Sequence, residues 1–320
     1  MPRILLTGAT GFVGRSVRPA LLRAGWQVRG LSRDARRARA RWPELEWIEG
    51  DVGDPAVCAR ALTGCDTALY LVHAIGEGAD FRRREVATAR TFAAAAGAVP
   101  SMRRIVYLGG VAPIDAGSEH LQSRLEVGEA LRAGLVATVE LRASMIVGHG
   151  SLSWLVVRDL AARLPVMVLP RWLRSRTEPV AIDDVVVALV RALELETDSA
   201  WFDIPGPDVL TGKQILAETA RVMGLRRPAS LDVPLLTPRL SSLWVRFVTR
   251  ADWSVARNIV VGLTHDLLAQ SDRYWSLIDH PVRLSFAEAA RRALAAEERE
   301  GVPVRGPWGV VERVLAAHGS

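Results

Sequence analysis

The chain has 320 residues, 49% hydrophobic and 24% charged, enough for one large or two moderate globular domains with a sizeable core. Its formal charge is +6, nearly all the positive charge being Arg, and no zinc-finger spacing or aromatic-studded basic motif accompanies it, so nucleic acid is not an expected partner. Two cysteines, Cys58 and Cys65, are too few for a disulfide framework or a zinc site, so no metal is expected; no run of 18 apolar residues suggests a transmembrane segment and no signal peptide is recognisable, so a cytoplasmic location is expected.

The first half alternates short apolar runs with helical patterns. A strand at 4–6 leads directly into Thr7-Gly8-Ala9-Thr10-Gly11-Phe12-Val13-Gly14, and a helix follows over 13–24. A glycine-rich turn between a strand and a helix is the context of a dinucleotide-phosphate fingerprint. Gly8 permits the tight turn, Gly11 lets backbone approach a pyrophosphate, and Gly14 allows close helix–strand packing. The helix N-terminus adds unpaired N–H groups and partial positive charge. Thr7, Thr10, Phe12 and Val13 complete this cofactor-binding segment.

A second strand at 27–31 ends in Leu31-Ser32-Arg33. NAD sites usually place an acid here to bond the ribose 2′-hydroxyl. Ser32 and Arg33, with Arg36 and Arg37 behind, suit a 2′-phosphate instead, which favours NADP(H) over NAD(H). Asp34 either turns inward or pairs with an Arg, and the basic stretch also reads as an exposed helix start. Strands at 45–48, 67–72, 104–108 and 138–142 alternate with helices at 56–62, 82–97 and 123–133, which implies βαβ units and a parallel sheet.

Beyond about residue 150 the pattern loosens. A helix is predicted over 153–163, a Pro-bounded strand over 165–170, and a helix start at Ile182-Asp183-Asp184-Val185 with an Asp as N-cap. A strand at 201–204 ends in Pro205-Gly206-Pro207, and Thr211 caps a helix over 212–223. The stripes Leu240/Leu243/Trp244/Phe247 and Ala289/Ala290/Ala293/Leu294 read as core or lid helices. The expected fold class is α/β: a Rossmann-type doubly wound parallel sheet over 1–150, with a smaller, mostly helical substrate-binding region over 151–320 interleaved with the sheet.

The spacing Gly-x-x-Gly-x-x-Gly resembles the short-chain dehydrogenase/reductase superfamily in its extended and atypical branches, and NmrA-like NAD(P)H-binding proteins in particular. Tyr70-Leu71-Val72-His73, Ser123-Arg124-Leu125-Glu126-Val127-Gly128-Glu129, Glu140-Leu141-Arg142-Ala143 and Phe202-Asp203-Ile204-Pro205-Gly206-Pro207-Asp208 carry the same resemblance. It implies that Asp51 and Val52 lie near the adenine, although Asp51 also reads as a turn residue. It places Val72 and His73 beside ribose and nicotinamide, although His73 is equally a half-buried histidine.

Active members carry Ser/Thr, Tyr and, four residues on, Lys; the tyrosine is the general acid/base and the lysine lowers its pKa and holds the ribose. Here His120 stands for the Tyr, Arg124 for the Lys, and Gly109-Gly110 where the Ser/Thr is expected. Arg124 can hold a ribose hydroxyl but cannot cycle a proton. His120 can donate or accept one near neutral pH, or simply face solvent. Tyr107 reads as packing.

Gly110, His149, Trp154, Arg171 and Trp172 are the candidate substrate residues. The Arg171/Trp172/Arg174/Arg176 cluster reads either as a clamp for an acidic group or as a solvated loop. Trp154, Met167, Trp244, Phe247 and Trp253 read as a cleft lining or as core. These features lead to an NADP(H)-dependent oxidoreductase acting on a small, mostly apolar carbonyl or enone. The alternatives are a non-catalytic NAD(P)H-binding redox sensor or scaffold, and an epimerase or dehydratase; a homodimer or a regulatory protein is an expected further partner.

Overall fold

The computed structural model describes residues 1–72, 79–112, 119–163, 166–169, 174–225, 229–232 and 265–300; at 79, 119, 120, 163, 166–169 and 229–232 the description covers the backbone alone. The first half runs β1 (Arg3–Leu6), α1 (Phe12–Arg23), β2 (Gln27–Ser32), α2 (Ala35–Arg41), β3 (Glu46–Glu49), α3 (Pro55–Leu62), β4 (Thr67–Tyr70), α4 (Ala79–Gly97), β5 (Arg104–Gly110), α5 (Glu119–Arg132) and β6 (Thr138–Ala143). There follow β7 (Ile146–Val147), α6 (Leu152–Arg163), β8 (Val166–Leu169), β9 (Arg176–Thr177), β10 (Val180–Ala181), α7 (Ile182–Glu194), β11 (Ala200–Asp203), β12 (Leu210–Thr211), α8 (Gly212–Val222) and β13 (Ala229–Asp232). The described chain ends with α9 (Arg273–Leu277) and α10 (Phe286–Arg299).

Seven strands form one parallel sheet in the order β11-β6-β5-β4-β1-β2-β3. This is a Rossmann-type α/β fold, and its strand order reverses between β1 and β4, where ligands bind outside the carboxyl ends of the strands. Successive residues feed opposite layers, as a two-residue period requires. Ile4, Leu6, Val106 and Leu108 pack with Val17 and Leu21 of α1 and Val185, Ala188 and Leu189 of α7. Leu5, Ile105 and Tyr107 pack with α3, α4 and α5 through Cys58, Phe92 and Leu131. Both faces being covered, the middles of β1 and β5 are runs of apolar residues.

The second half of the chain supplies both β11, the seventh strand, and α7, which packs on the sheet. A third cluster joins Trp154 and Val157 of α6, Ile215 and Leu216 of α8, and Phe286, Ala289, Ala290, Ala293 and Leu294 of α10. The predicted 289/290/293/294 stripe is therefore core. The 240–247 stripe lies outside the described residues.

One local expectation is corrected. The N-cap of α7 is Ala181, with no side-chain cap. Asp184 is instead buried, accepting from Leu284 N at 2.9 Å and lying 2.9 Å from His280 Nε2, so it anchors the segment before α10. The short α2, only weighed as a basic helix start, is a helix of seven residues with Ala35 and Ala38 turned inward. Thr211 does cap α8, in a reciprocal capping box with Gln214.

Candidate cofactor and substrate site

The turn after β1 is built on its glycines. Gly8 has φ 64°, a left-handed conformation, and a Cβ there would stand 2.8 Å from the Leu71 carbonyl oxygen. Gly11 N donates to Gly8 O at 2.9 Å, closing the turn. Gly11 is also the N-cap of α1 and offers no side-chain cap, so the first-turn amides have neither an intrahelical carbonyl nor a capping oxygen from that residue. A Cβ on Gly14 would stand 2.7 Å from Ala9 Cα and closer still to Gly8 O. Gly14 thus seats the helix on the turn itself, one step beyond the strand predicted for it.

Thr7 is fully buried; its hydroxyl accepts from Leu71 N at 3.0 Å and donates to Leu69 O at 3.3 Å. It fastens the ends of β1 and β4 at the switch point rather than presenting a group to a ligand. Thr10 is exposed, and Phe12 and Val13 are half-buried. The segment just after β7 packs on the glycine turn, since Cβ atoms at Gly148 and Gly150 would lie 3.1 and 3.5 Å from the Phe12 ring.

β2 ends at Ser32, where an acid would be expected in an NAD site. Ser32 Oγ exchanges hydrogen bonds with the Asp34 backbone, at 3.2 Å from its N and 3.1 Å to its O. The Asp34 carboxylate accepts from Arg37 N at 2.9 Å and so caps α2, the short side-chain–backbone bond that favours Asp there. Arg33, Arg36 and Arg37 are exposed. Asp51 accepts from Gly53 N at 2.8 Å, the turn role weighed for it. Val52 is buried, and its carbonyl accepts from Cys58 Sγ at 3.0 Å. Burial, helped by Asp54 and Asp51, pushes the Cys58 thiol up to about 11. Val72 packs half-buried against the core, and His73 lies outside the described residues.

The residues expected at the catalytic position lie on β5 and α5. Tyr107 is sealed in the core and donates its hydroxyl to the Arg124 carbonyl at 3.1 Å; burial pushes its pKa well up, which confirms packing as its role. Arg124 reaches back to the end of β5. Its Cδ lies 3.2 Å and its Nη1 3.8 Å from where a Cβ on Gly110 would stand. The guanidinium therefore lies beside the space that a side chain at 110 would use. Its Nε is buried and has no hydrogen-bond partner among the described residues, like Ser123 Oγ one residue earlier. Burial lowers the Arg124 pKa, opposed by Tyr107 and Glu85. His120 is in the first turn of α5, one helical turn before Arg124; its side chain lies outside the description.

On the substrate side the structure rearranges the expectations. Trp154 is fully buried in the third core cluster and donates Nε1 to Glu297 Oε1 at 3.1 Å; it is a core residue and lines no cleft. His149 Nε2 is 2.9 Å from Glu300 Oε2 and its Nδ1 is 3.9 Å from Glu297 Oε1, so its ring turns to α10. Arg176 is spent on Asp266, through its backbone N at 2.7 Å and its guanidinium at 2.8 and 3.0 Å. Arg171 and Trp172 lie outside the described residues, as do Trp244 and Phe247, Trp253, and the side chain of Met167.

Sequence reasoning missed two buried charge clusters. Glu140, fully buried on β6, meets Arg142 at 2.8 Å and Arg132 of α5, and Arg142 stacks 4.2 Å from the Trp201 ring. Glu140 fills the room left by Gly128, where a Cβ would collide with its carboxylate, and sits close beside Gly109, where a Cβ would be 3.1 Å from Oε1. Arg158 joins Asp159 and Glu297, each at 2.6 Å. Glu140-x-Arg142 on one strand face was the available signal.

The comparisons decide the lineage. The family profile described as NAD(P)H-binding matches residues 8–161. A (4-alkanoyl-5-oxo-2,5-dihydrofuran-3-yl)methyl phosphate reductase of Streptomyces griseus is 30% identical, over 69% of this chain and 74% of that protein. This chain belongs to the NAD(P)H-binding, atypical short-chain dehydrogenase/reductase family. A ceramide reductase of Caulobacter vibrioides is 31% identical over 58% of this chain and 59% of that protein. Among solved structures, a triphenylmethane reductase of Citrobacter sp. superposes with TM-score 0.72 at 17% identity, covering 92% of this chain and 99% of that one. A UDP-N-acetylglucosamine 4-epimerase of Bacillus cereus gives 0.70 at 16%, covering 93% and 100%; both share the fold. The turn's residues fit a dinucleotide: Gly8 and Gly14 pack turn and helix so closely that a side chain has no room, the first-turn amides of α1 have no capping oxygen from Gly11, and Arg124 Nε is buried without a partner among the described residues.

Proposed function

We propose that this protein is an NADP(H)-dependent oxidoreductase acting on a small, mostly apolar carbonyl or enone. The observation that carries the NADP(H) preference is the end of β2: its acid, Asp34, is committed to the α2 N-cap, while Arg33, Arg36 and Arg37 remain exposed beside Ser32. Arg forks suit phosphate oxygens. Gly8, Gly11 and the first turn of α1 would hold the diphosphate, and Arg124 would meet the ribose. When bound, the reduced cofactor supplies a hydride.

Gly110 carries no hydroxyl and Tyr107 is sealed, so His120 or water is left to move the proton. This same deficit supports a second reading, a redox sensor that binds NAD(P)H without turnover.

One experiment separates the two. Binding of NADPH and NADH is measured first, then the absorbance of the reduced cofactor is followed with a panel of ketones, quinones and enones. Turnover that His120→Ala removes while cofactor binding persists supports the enzyme. Tight binding with no turnover on any member of the panel supports the sensor.

A further inference from the structure

Three features of the α5–β5 junction point the same way. Residue 110 offers no hydroxyl to a carbonyl oxygen. The guanidinium of Arg124 lies beside the space where that hydroxyl would hang, 3.8 Å from Nη1 to the missing Cβ position. Arg124 Nε is buried with no partner among the described residues. An Arg so placed donates hydrogen bonds and a fixed positive charge but keeps its proton.

We propose that Arg124, besides meeting the ribose, is the group that receives the negative charge developing on the substrate's carbonyl oxygen, and that the substrate class is accordingly α,β-unsaturated carbonyls, reduced at the C=C bond. This rests on the reading of the protein as an NADPH-dependent reductase. The chemistry selects the class. Hydride addition to a saturated ketone leaves a localised alkoxide, which needs a proton donor in the transition state. Hydride addition to the β-carbon of an enone moves the C=C π pair toward the carbonyl, and the product is an enolate with its charge shared between oxygen and the α-carbon. A preorganised cation is enough to stabilise that anion. The balance is simple: NADPH loses a hydride and becomes NADP+, the β-carbon gains it, and the α-carbon then takes a proton from His120 or water. A site that lacks the hydroxyl at 110 and the acid/base tyrosine, and carries an Arg that keeps its proton in place of the Lys, is suited to the second reaction.

The test has a binding arm and a product arm. In the binding arm, the enolate of cyclohexane-1,3-dione is titrated calorimetrically into the NADP+-saturated protein above the pKa of the dione. Loss of a charge-assisted pair predicts roughly 10–100-fold weaker binding in Arg124→Gln. Arg124→Lys, which keeps the charge, should lie between the two, and melting curves of both variants report whether they are folded. Equal affinity in the wild type and a folded Arg124→Gln would overturn the assignment.

In the product arm, cyclohex-2-enone is reduced with cofactor carrying deuterium at the transferred position. The expected product is the saturated ketone with deuterium on the β-carbon. Deuterium on the carbinol carbon of an allylic alcohol, or saturated ketones reduced as fast as enones, would overturn it. Absence of NADPH binding would sink the parent reading instead, and is seen in the cofactor titration before either arm is run.

Discussion

The Gly8 carbonyl oxygen and the Cα of Gly14 approach so closely that no side chain fits at position 14. The approach presses the first turn of α1 onto the turn that precedes it, and so fixes where the helix aims its free amides. Gly14→Ala must push the two apart. An inserted methyl in a filled site costs about 1–3 kcal/mol. The expected outcome is a lower melting temperature and dinucleotide binding weakened by about tenfold or more, read by calorimetry on the folded fraction. An unchanged affinity would mean that the turn does not hold the diphosphate.

Arg33 tests the choice of cofactor. Hydrogen bonds to charged groups are worth about 1.5–3 kcal/mol, so Arg33→Ala should weaken NADPH roughly 10–100-fold and leave NADH nearly unchanged. Asp34→Ala is the control. It removes the α2 cap, costs about 1 kcal/mol of stability, and should shift both cofactors together.

Trp154 distinguishes a core residue from a cleft lining. Trp154→Ala should cost about 3–5 kcal/mol in denaturant unfolding, the range for truncating a buried aromatic. Its effect on KM, measured on the folded protein, should be small. Trp154→Phe keeps most of the volume but strands Glu297, already committed to Arg158, and should cost about 1–3 kcal/mol. A large KM change in a variant of unaltered stability would restore Trp154 to the substrate cleft.

Glu178 and Asp203 give the protein a pH signature. Burial, the largest cause for each, holds both carboxyls above the ordinary carboxylate range. The backbone bonds from Ala269 to Glu178 and from Gln270 to Asp203 oppose the shift without cancelling it. The folded protein thus binds these protons more tightly than the unfolded chain. The resulting stabilisation is fully present below the unfolded values, about 4, and is lost as pH rises through the folded ones. Glu178→Gln with Asp203→Asn removes both titrations, so its melting temperature relative to wild type should climb as pH rises from about 4 to neutrality. A difference that stays flat across that range would contradict the burial of the pair.

Much of the sheet and the whole glycine turn were legible because both rest on local pattern: apolar runs of strand length, and glycines at positions no other residue can occupy. α2 was not assigned as a helix because its inward face is only Ala35 and Ala38, too short a stripe to show a period. Asp183 and Asp184 looked like caps because composition says nothing of direction; the structure turns Asp184 toward His280 and Leu284, about a hundred residues away in the chain. The choice between core and cleft for Trp154, and the partner of His149, were not legible for the same reason, since Glu297 and Glu300 lie in and at the end of the last described helix. The relation of Arg124 to Gly110 was half visible: the substitutions could be read in the motif, but not that one residue lies beside the space left by the other.

The central claim is that the turn from Gly8 to Gly14 grips a dinucleotide's diphosphate. Calorimetric titration of the full chain with NADPH tests it most directly, with NADH and Gly14→Ala in parallel. One site per chain is expected, tighter for NADPH than for NADH, and strongly weakened by the substitution. No heat with either reduced or oxidised pyridine nucleotides, or binding indifferent to Gly14→Ala, would contradict it.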